Sequence, residues 1–485
     1  MVDVRSQWSV VGDFVPTHAN SLKDGLASGT LMEFPADPIA CMQRLFREQG
    51  DYATLHGDGQ KLSFVFCAEG NHQVLSDPVN FHSRFFALRG GRNSPQRRLS
   101  SGLLSMNGEE HRRNRRLVMD AFSKRAVPLY ASTIVNLTEE LLSKWEPGQT
   151  VDINHEMTEF MLRVTSSILF GVDNPEMAYR IGRMTDQWVR MNHEAGIGAM
   201  ISSPETAERY NELLGFAAEL DAEIAAMIDL RRHKKTSSHD ALSMLLAAHD
   251  GEGSITDEQL IGHTALLFAA SHLTTAHTFA WTIFLLSQHP RVMTDLHHEL
   301  ETLEGAAPLG AALDRLDLTE RVIKESMRCL PASAYSQRFS TCQQKLGNLD
   351  LCTGETVIFS QFMTHHRSDL YVDPYAFQPE RWKTISPSPY AYLPFGAGPR
   401  MCIGAALGML ILKTVMPMLL SRFKFQLQPY AEISGKVIST MLGPITPVPM
   451  TIEAQDGKFE SVPVRGNIGE LVDLDECVSN QSQAA

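Results

Sequence analysis

The sequence predicts a mainly α chain with a small β-lobe. Apolar residues recur at helical spacing through residues 130 to 250, most clearly in Ile134 to Trp145 and Thr206 to Arg232. A longer helix is predicted from Thr256, which with Gln259 forms a capping signature, to about Gln288, ahead of the helix-stopping Pro290. At about 1.5 Å per residue such a helix crosses a whole domain. Strand-like stretches are short by comparison, and Leu62 to Cys67 is the clearest of them.

Composition narrows the class. With 43% hydrophobic and 20% charged residues, the 485-residue chain is globular and buries a large core. Its formal net charge of -13 argues against nucleic acid as a partner. Met1 to Met32 intersperses charges among apolar residues and holds no long hydrophobic run, so neither a signal peptide nor a membrane span is expected. The 7 cysteines are scattered without a regular framework, as in a reduced, soluble, cytoplasmic protein.

In chain order, a helix is expected over Pro38 to Glu48, before the strand-rich lobe. Phe81 to Ser105 is loop-like and holds Arg84, Arg89, Arg92, Arg97 and Arg98, either a solvated basic loop or a contact for an acidic group. Asn107 and Glu110 mark a helix start, and His111 and Arg115 share one face of that helix. Arg112, Arg113, Arg116, Lys124 and Arg125 form a basic patch beside them. Ala195 to Pro204 is rich in small residues and reads as a helix connection or a lid.

Asp317 and Glu320 open a helix carrying Glu325 and Arg328, three apart, that Pro331 stops. An apolar helix interrupted by Pro417 is expected over Ala405 to Phe423, then strands to about Ala454. The acidic segment 456–485 is expected to be loosely held.

The most informative stretch is Phe395-Gly396-Ala397-Gly398-Pro399-Arg400-Met401-Cys402-Ile403-Gly404. One cysteine sits on a glycine-rich, proline-stiffened loop directly before an apolar helix. Glycines let backbone approach a flat cofactor, and a helix N-terminus lowers a thiol pKa. A free core cysteine in a turn is the plainer reading of Cys402 alone.

Its neighbours favour the site. The stretch resembles Phe-x-x-Gly-x-Arg-x-Cys-x-Gly, the haem-binding loop of the cytochrome P-450 family, with Phe395, Gly398, Arg400, Cys402 and Gly404 in register. The resemblance implies a cytochrome P-450 fold holding haem b, with Cys402 as the proximal ligand of the iron and Arg400 at a propionate. It places His111 and Arg115 at the propionates too, with Arg338 as a further candidate. Arg381, within Tyr375 to Trp382, would join Glu325 and Arg328 in a buried structural network beneath the loop. His366-Arg367 also fits the family pattern. The likeness covers roughly residues 33 to 454, which sets off an N-terminal extension (1–32), a haem domain (33–455) and the tail.

Ala269-Ala270-Ser271-His272-Leu273-Thr274-Thr275 resembles the family's oxygen-activating segment, usually Ala/Gly-Gly-x-Asp/Glu-Thr-Thr. Thr274 and Thr275 match, whereas Leu273 replaces the acid and Ser271 the glycine. Leucine carries no proton, so Thr274 with ordered water is expected to serve, with Ser271 and His272 as substitutes for the acid. Ala270 leaves room beside the cofactor, and Ala269, Leu273, Ala334, Tyr335 and Ile445 are expected to line the substrate pocket.

The function implied is monooxygenation of a small lipophilic substrate, one with an acidic group being an open alternative. Electrons would come from a separate ferredoxin- or flavodoxin-type donor with its NAD(P)H-driven reductase, for which the basic patch is a docking candidate. Leu273 also motivates a haem-thiolate enzyme outside the standard oxygen cycle: a peroxide-driven oxygenase, or an isomerase or dehydratase of an oxygenated substrate. A non-catalytic haem sensor or carrier is the third reading.

Overall fold

The computed structural model describes residues 31, 33–57, 60–83, 88, 90–171, 173–198, 204–234, 240–252 and 255–474. Arg84, Arg89, most of the N-terminal extension, the middle of the expected lid and the last residues of the tail lie outside them. Asp37 caps α1 (Pro38–Gln49) through the Ala40 N–H. Strands β1 (Tyr52–Gly57) and β2 (Gln60–Val65) pair antiparallel, and the Cys67 Sγ accepts from the Gly70 N–H to open α2 (Ala68–Ser76). The two-residue β3 (Phe81–His82) precedes α3 (Gly108–Met119), α4 (Ala131–Leu142) and β4 (Thr150–Asp152).

A helical block follows: α5 (Ile153–Phe170), α6 (Pro175–Gly198), α7 (Pro204–Lys234), α8 (Ala241–Glu252), α9 (Asp257–Ser271), α10 (Leu273–Gln288), α11 (Pro290–Glu301) and α12 (Asp317–Cys329). Strands β5 (Ser336–Ser340) and β6 (Thr356–Phe359) complete the β-lobe, ordered β1-β2-β6-β5-β3 with β2 and β6 parallel. Helix α13 (Ala405–Arg422) leads into β7 (Phe423–Leu427), the hairpin β8 (Gly435–Ile438) and β9 (Met441–Pro444), and β10 (Pro449–Ala454).

Helix α10 is almost wholly apolar from Phe279 to Leu286 because that half is enclosed on all sides. Phe279, Trp281 and Phe284 are fully buried, and α5 and α12 pack against it. Each such ring contributes roughly 1.5–3 kcal/mol by leaving water.

The long helix expected from Thr256 to Gln288 is two helices, broken at His272 (φ -95°, ψ -54°). The Thr256–Gln259 capping box is present at its start. At the break the Ser271, Thr274 and Thr275 hydroxyls donate to the carbonyls of Leu267, Ala270 and Ser271. Such bonds compete with backbone amides for helix carbonyls and bend a helix.

Three other expectations change. Asn107 stands at the N-cap of α3 but makes no capping bond; its Oδ1 accepts from the Ser83 N–H and from Arg400. Helix α13 runs through Pro417 without interruption. It is long and apolar enough to cross a membrane, yet it packs against α4 and α11 as a core helix. The tail is held as far as residue 474: Ile468, Leu471 and Val472 are buried, and the Asp473 N–H donates to Tyr375 O. Three apolar residues at helical spacing among acidic ones dock a segment whose average composition looks solvated.

Candidate active site

The cysteine loop owes its shape to two glycines with positive φ, Gly396 (65°) and Gly398 (69°). A Cβ on Gly398 would stand 2.1 Å from Leu75 O, so only glycine fits. The Cys402 N–H donates to Phe395 O at 2.8 Å and closes the loop, and Gly404 precedes α13. Cys402 faces a cavity of about 430 Å³ that also reaches Phe395, Arg115, Thr274 and Thr275. Its surface is exposed to that cavity, not to bulk water. Burial pushes its thiol pKa up, while the Gly404 N–H and the Arg115 charge pull it down. A metal at Cys402 would convert the thiol to the thiolate.

Four groups that carry or gain positive charge converge on this cavity: His111, Arg115, Arg338 and Arg400 all line it. Among the described residues no carboxylate pairs with any of them. Arg115 donates to Met401 O at 2.7 Å; Arg400 donates to Met106 O and, at 2.7 Å, to Asn107 Oδ1. Burial, then Arg338 and Arg115, bring the Arg400 pKa down to about 9. Burial alone brings Arg338 to about 10, and burial with the three guanidiniums holds His111 near 3. Unpaired buried cations are costly unless an anion completes them. A flat cofactor with two carboxylates and an iron that takes a thiolate supplies the missing partners, so these residues fit haem.

On the opposite wall Ala269, Ala270, Ser271, Thr274 and Thr275 line the cavity, and Thr278 joins them one turn on. Several expected residues do not. Leu273 and His272 are absent from the wall: α10 starts at Leu273, and His272 is buried, with Nε2 3.0 Å from Asp186 Oδ1 on α6. Ala334 and Tyr335 also turn away, leaving Ala332, Ser333 and Ser336 on the wall. The Ala334 N–H donates to Thr440 O, and the Tyr335 hydroxyl to Ser439 O. Ile445 is half exposed outside the cavity.

Of the described arginines of the basic loop, Arg98 pairs with Asp221 at 2.5 Å, and neither it nor Arg92 or Arg97 lines the cavity. In the basic patch Arg112 pairs with Glu109 at 2.9 Å on an exposed face.

Behind the loop Glu325, Arg328 and Arg381 are in direct contact. Arg328 and Glu325 are fully buried, bonded at 2.9 and 3.0 Å, and Arg381 Nε reaches Glu325 Oε1 at 2.8 Å. Sequence reasoning missed Trp382, whose indole N–H donates to Glu325 Oε2 at 2.9 Å. Arg328 also donates to the carbonyls of His365, Pro374 and Ala376, so one side chain ties three segments together. His366 is buried and its Nδ1 lies 2.8 Å from Phe362 O, while Arg367 pairs with Asp51 and Asp369.

Comparison with known proteins agrees with this geometry. Residues 26–448 match the family described as Cytochrome P450. A cyclooctat-9-en-7-ol 5-monooxygenase of Streptomyces melanosporofaciens is 30% identical over 390 residues, 77% of this chain and 84% of that protein. A pentalenene oxygenase of Streptomyces avermitilis is 27% identical over 410 residues, 80% of this chain and 89% of the relative. In fold, the chain resembles the haem domain of a triple mutant of cytochrome P450DA (TM-score 0.78, 22% identity, 91% of this chain and 100% of that one). It also resembles the retinoic acid-bound cyanobacterial CYP120A1 (TM-score 0.72, 22% identity, 85% and 94% covered). The chain therefore belongs to the cytochrome P-450 family, as a monooxygenase with a cysteine-ligated haem b.

Proposed function

We propose that this enzyme inserts one oxygen atom from O2 into a lipophilic, terpenoid-like substrate, drawing electrons from a separate ferredoxin- or flavodoxin-type donor. The observation that carries the reading is the convergence of Cys402, four unpaired basic groups and the Thr274–Thr275 pair on one cavity. Cys402 is the iron ligand in this reading, and Arg115, Arg338, Arg400 and His111 hold the propionates. Haem with a thiolate ligand, when bound, supplies the oxygen activation, the thiolate favouring O–O cleavage as the family is known to do.

The chain's own residues position and exclude. Thr274 donates to Ala270 O at 3.1 Å, which leaves its oxygen as an acceptor towards the cavity. Ala269 and Ala270 present no bulk beside it. Leu266, Leu267, Ile168 and Leu169 make the wall apolar and favour a hydrocarbon skeleton. The terpene-oxidising names of the two Streptomyces relatives support the same substrate class. The exposed Arg113, Lys124 and Arg125 offer an acidic donor protein a basic landing surface.

One observation favours a second reading, a peroxide-driven or oxygen-rearranging enzyme: no carboxylate lines the cavity among the described residues. Turnover decides between them. Product formation from a cyclic terpenoid with a surrogate ferredoxin, reductase and NADPH is expected, with none from peroxide; the reverse pattern overturns the proposal. Thr274→Ala is expected to cut product formed per NADPH by roughly 10²-fold, the lower end of what a positioned group contributes to proton transfer, while NADPH consumption continues.

A further inference from the structure

Thr165, on α5, is buried (4% exposed) and lines the cavity. Thr138, Thr185, Thr264, Thr278 and Thr282, buried in helices, donate to the carbonyl four residues back, while Thr319 donates to Glu299 and Thr364 accepts from Asn71. Thr165 does none of these. Among the described residues its hydroxyl makes no hydrogen bond. Thr414 also lacks one, but its oxygen is sealed in the core. The Thr165 oxygen is not sealed; it opens onto the cavity. Leaving a buried hydroxyl unpaired costs free energy that a partner on a bound molecule recovers.

A second polar group faces the same space from the neighbouring helix α6. His193 lines the cavity, and burial pushes its pKa down to about 4, so its imidazole is neutral near pH 7. The rest of this wall, made by Ile168, Leu169, Val189 and Leu266, is apolar. A hydroxyl and a neutral imidazole suit a neutral oxygen. A carboxylate would need a cation, and the cavity's guanidiniums are committed to the haem propionates.

We infer that the Thr165 hydroxyl, on the wall that His193 also lines, forms an oxygen-anchoring subsite, and that the substrate is an otherwise apolar skeleton already bearing a hydroxyl or carbonyl. The inference rests on the monooxygenase reading above. It places the enzyme after a reaction that leaves one neutral oxygen on the carbon skeleton.

The test is optical titration of the haem-loaded ferric protein with limonene, carveol, carvone and perillic acid, which share one skeleton and differ in oxygen function. The wild type is expected to bind carveol or carvone about three- to tenfold tighter than limonene, the range of one net hydrogen bond. In Thr165→Val that preference falls to about one, with the limonene Kd unchanged. The melting temperature of Thr165→Val is expected to hold or rise, because no protein hydrogen bond is lost; a structural threonine would lower it. Equal wild-type affinities, a preference surviving in Thr165→Val, or tightest binding of perillic acid overturns the inference. The carbon monoxide spectrum of the same samples reports the haem-thiolate reading separately. A normal spectrum without oxygen preference removes the anchor alone.

Discussion

Glu325→Gln is expected to destabilise the protein by about 3–5 kcal/mol, the usual cost of breaking one partner out of a buried ion pair. Glu325 is fully buried and bonds Arg328, Arg381, the Gln378 N–H and the Trp382 indole. Neutralising it leaves two buried guanidiniums without a counter-charge. Because Arg328 also ties the carbonyls of His365, Pro374 and Ala376, the loss is expected to loosen the segments around the cysteine loop. The expected result is a lower urea midpoint together with a smaller fraction of haem retained after gel filtration. An unchanged midpoint would show that the remaining carbonyl acceptors hold both arginines by themselves.

The second large effect concerns chemistry and not folding. Cys402→Ser is expected to bring oxygen insertion below about one-thousandth of wild type, since the hydroxyl supplies no thiolate to the iron. The apoprotein is expected to melt within a degree or two of wild type. Residue 402 closes its loop through its backbone N–H on Phe395 O, a bond that the substitution keeps. Product assays with surrogate redox partners, beside a melt of both apoproteins, separate the two effects. Retained turnover in the serine variant would exclude Cys402 as the ligand.

The cysteine loop was legible because its information is local: Phe395, Gly398, Arg400, Cys402 and Gly404 act within ten residues, and the φ of Gly398 and its approach to Leu75 follow from that short geometry. Glu325, Arg328 and Arg381 were legible from their neighbours, although Trp382, the very next residue, gave no sign of its bond to Glu325. The distal wall was harder. Whether Ala334 or Ser333 faces the cavity depends on which backbone groups Thr440 and Phe362 engage, and those lie in a hairpin about a hundred residues away and in the short helix Gln361–His365.

His272 shows the same limit. The sequence offered His272 as a substitute for the acid, but its partner Asp186 lies 86 residues earlier. The unpaired hydroxyl of Thr165 had no sequence signal at all, because a helical threonine reads the same in sequence whether or not it bonds the carbonyl four residues back. The tail misled through composition: an acidic average concealed Ile468, Leu471 and Val472.

Ligation by Cys402 is tested most directly by reducing the purified, haem-loaded protein under carbon monoxide and recording its absorption spectrum. A Soret band shifted well to the red, the signature of a thiolate opposite the bound gas, is predicted, and it should vanish in Cys402→Ser. A band at the position of histidine-ligated haem, or one that persists in the serine variant, would contradict it.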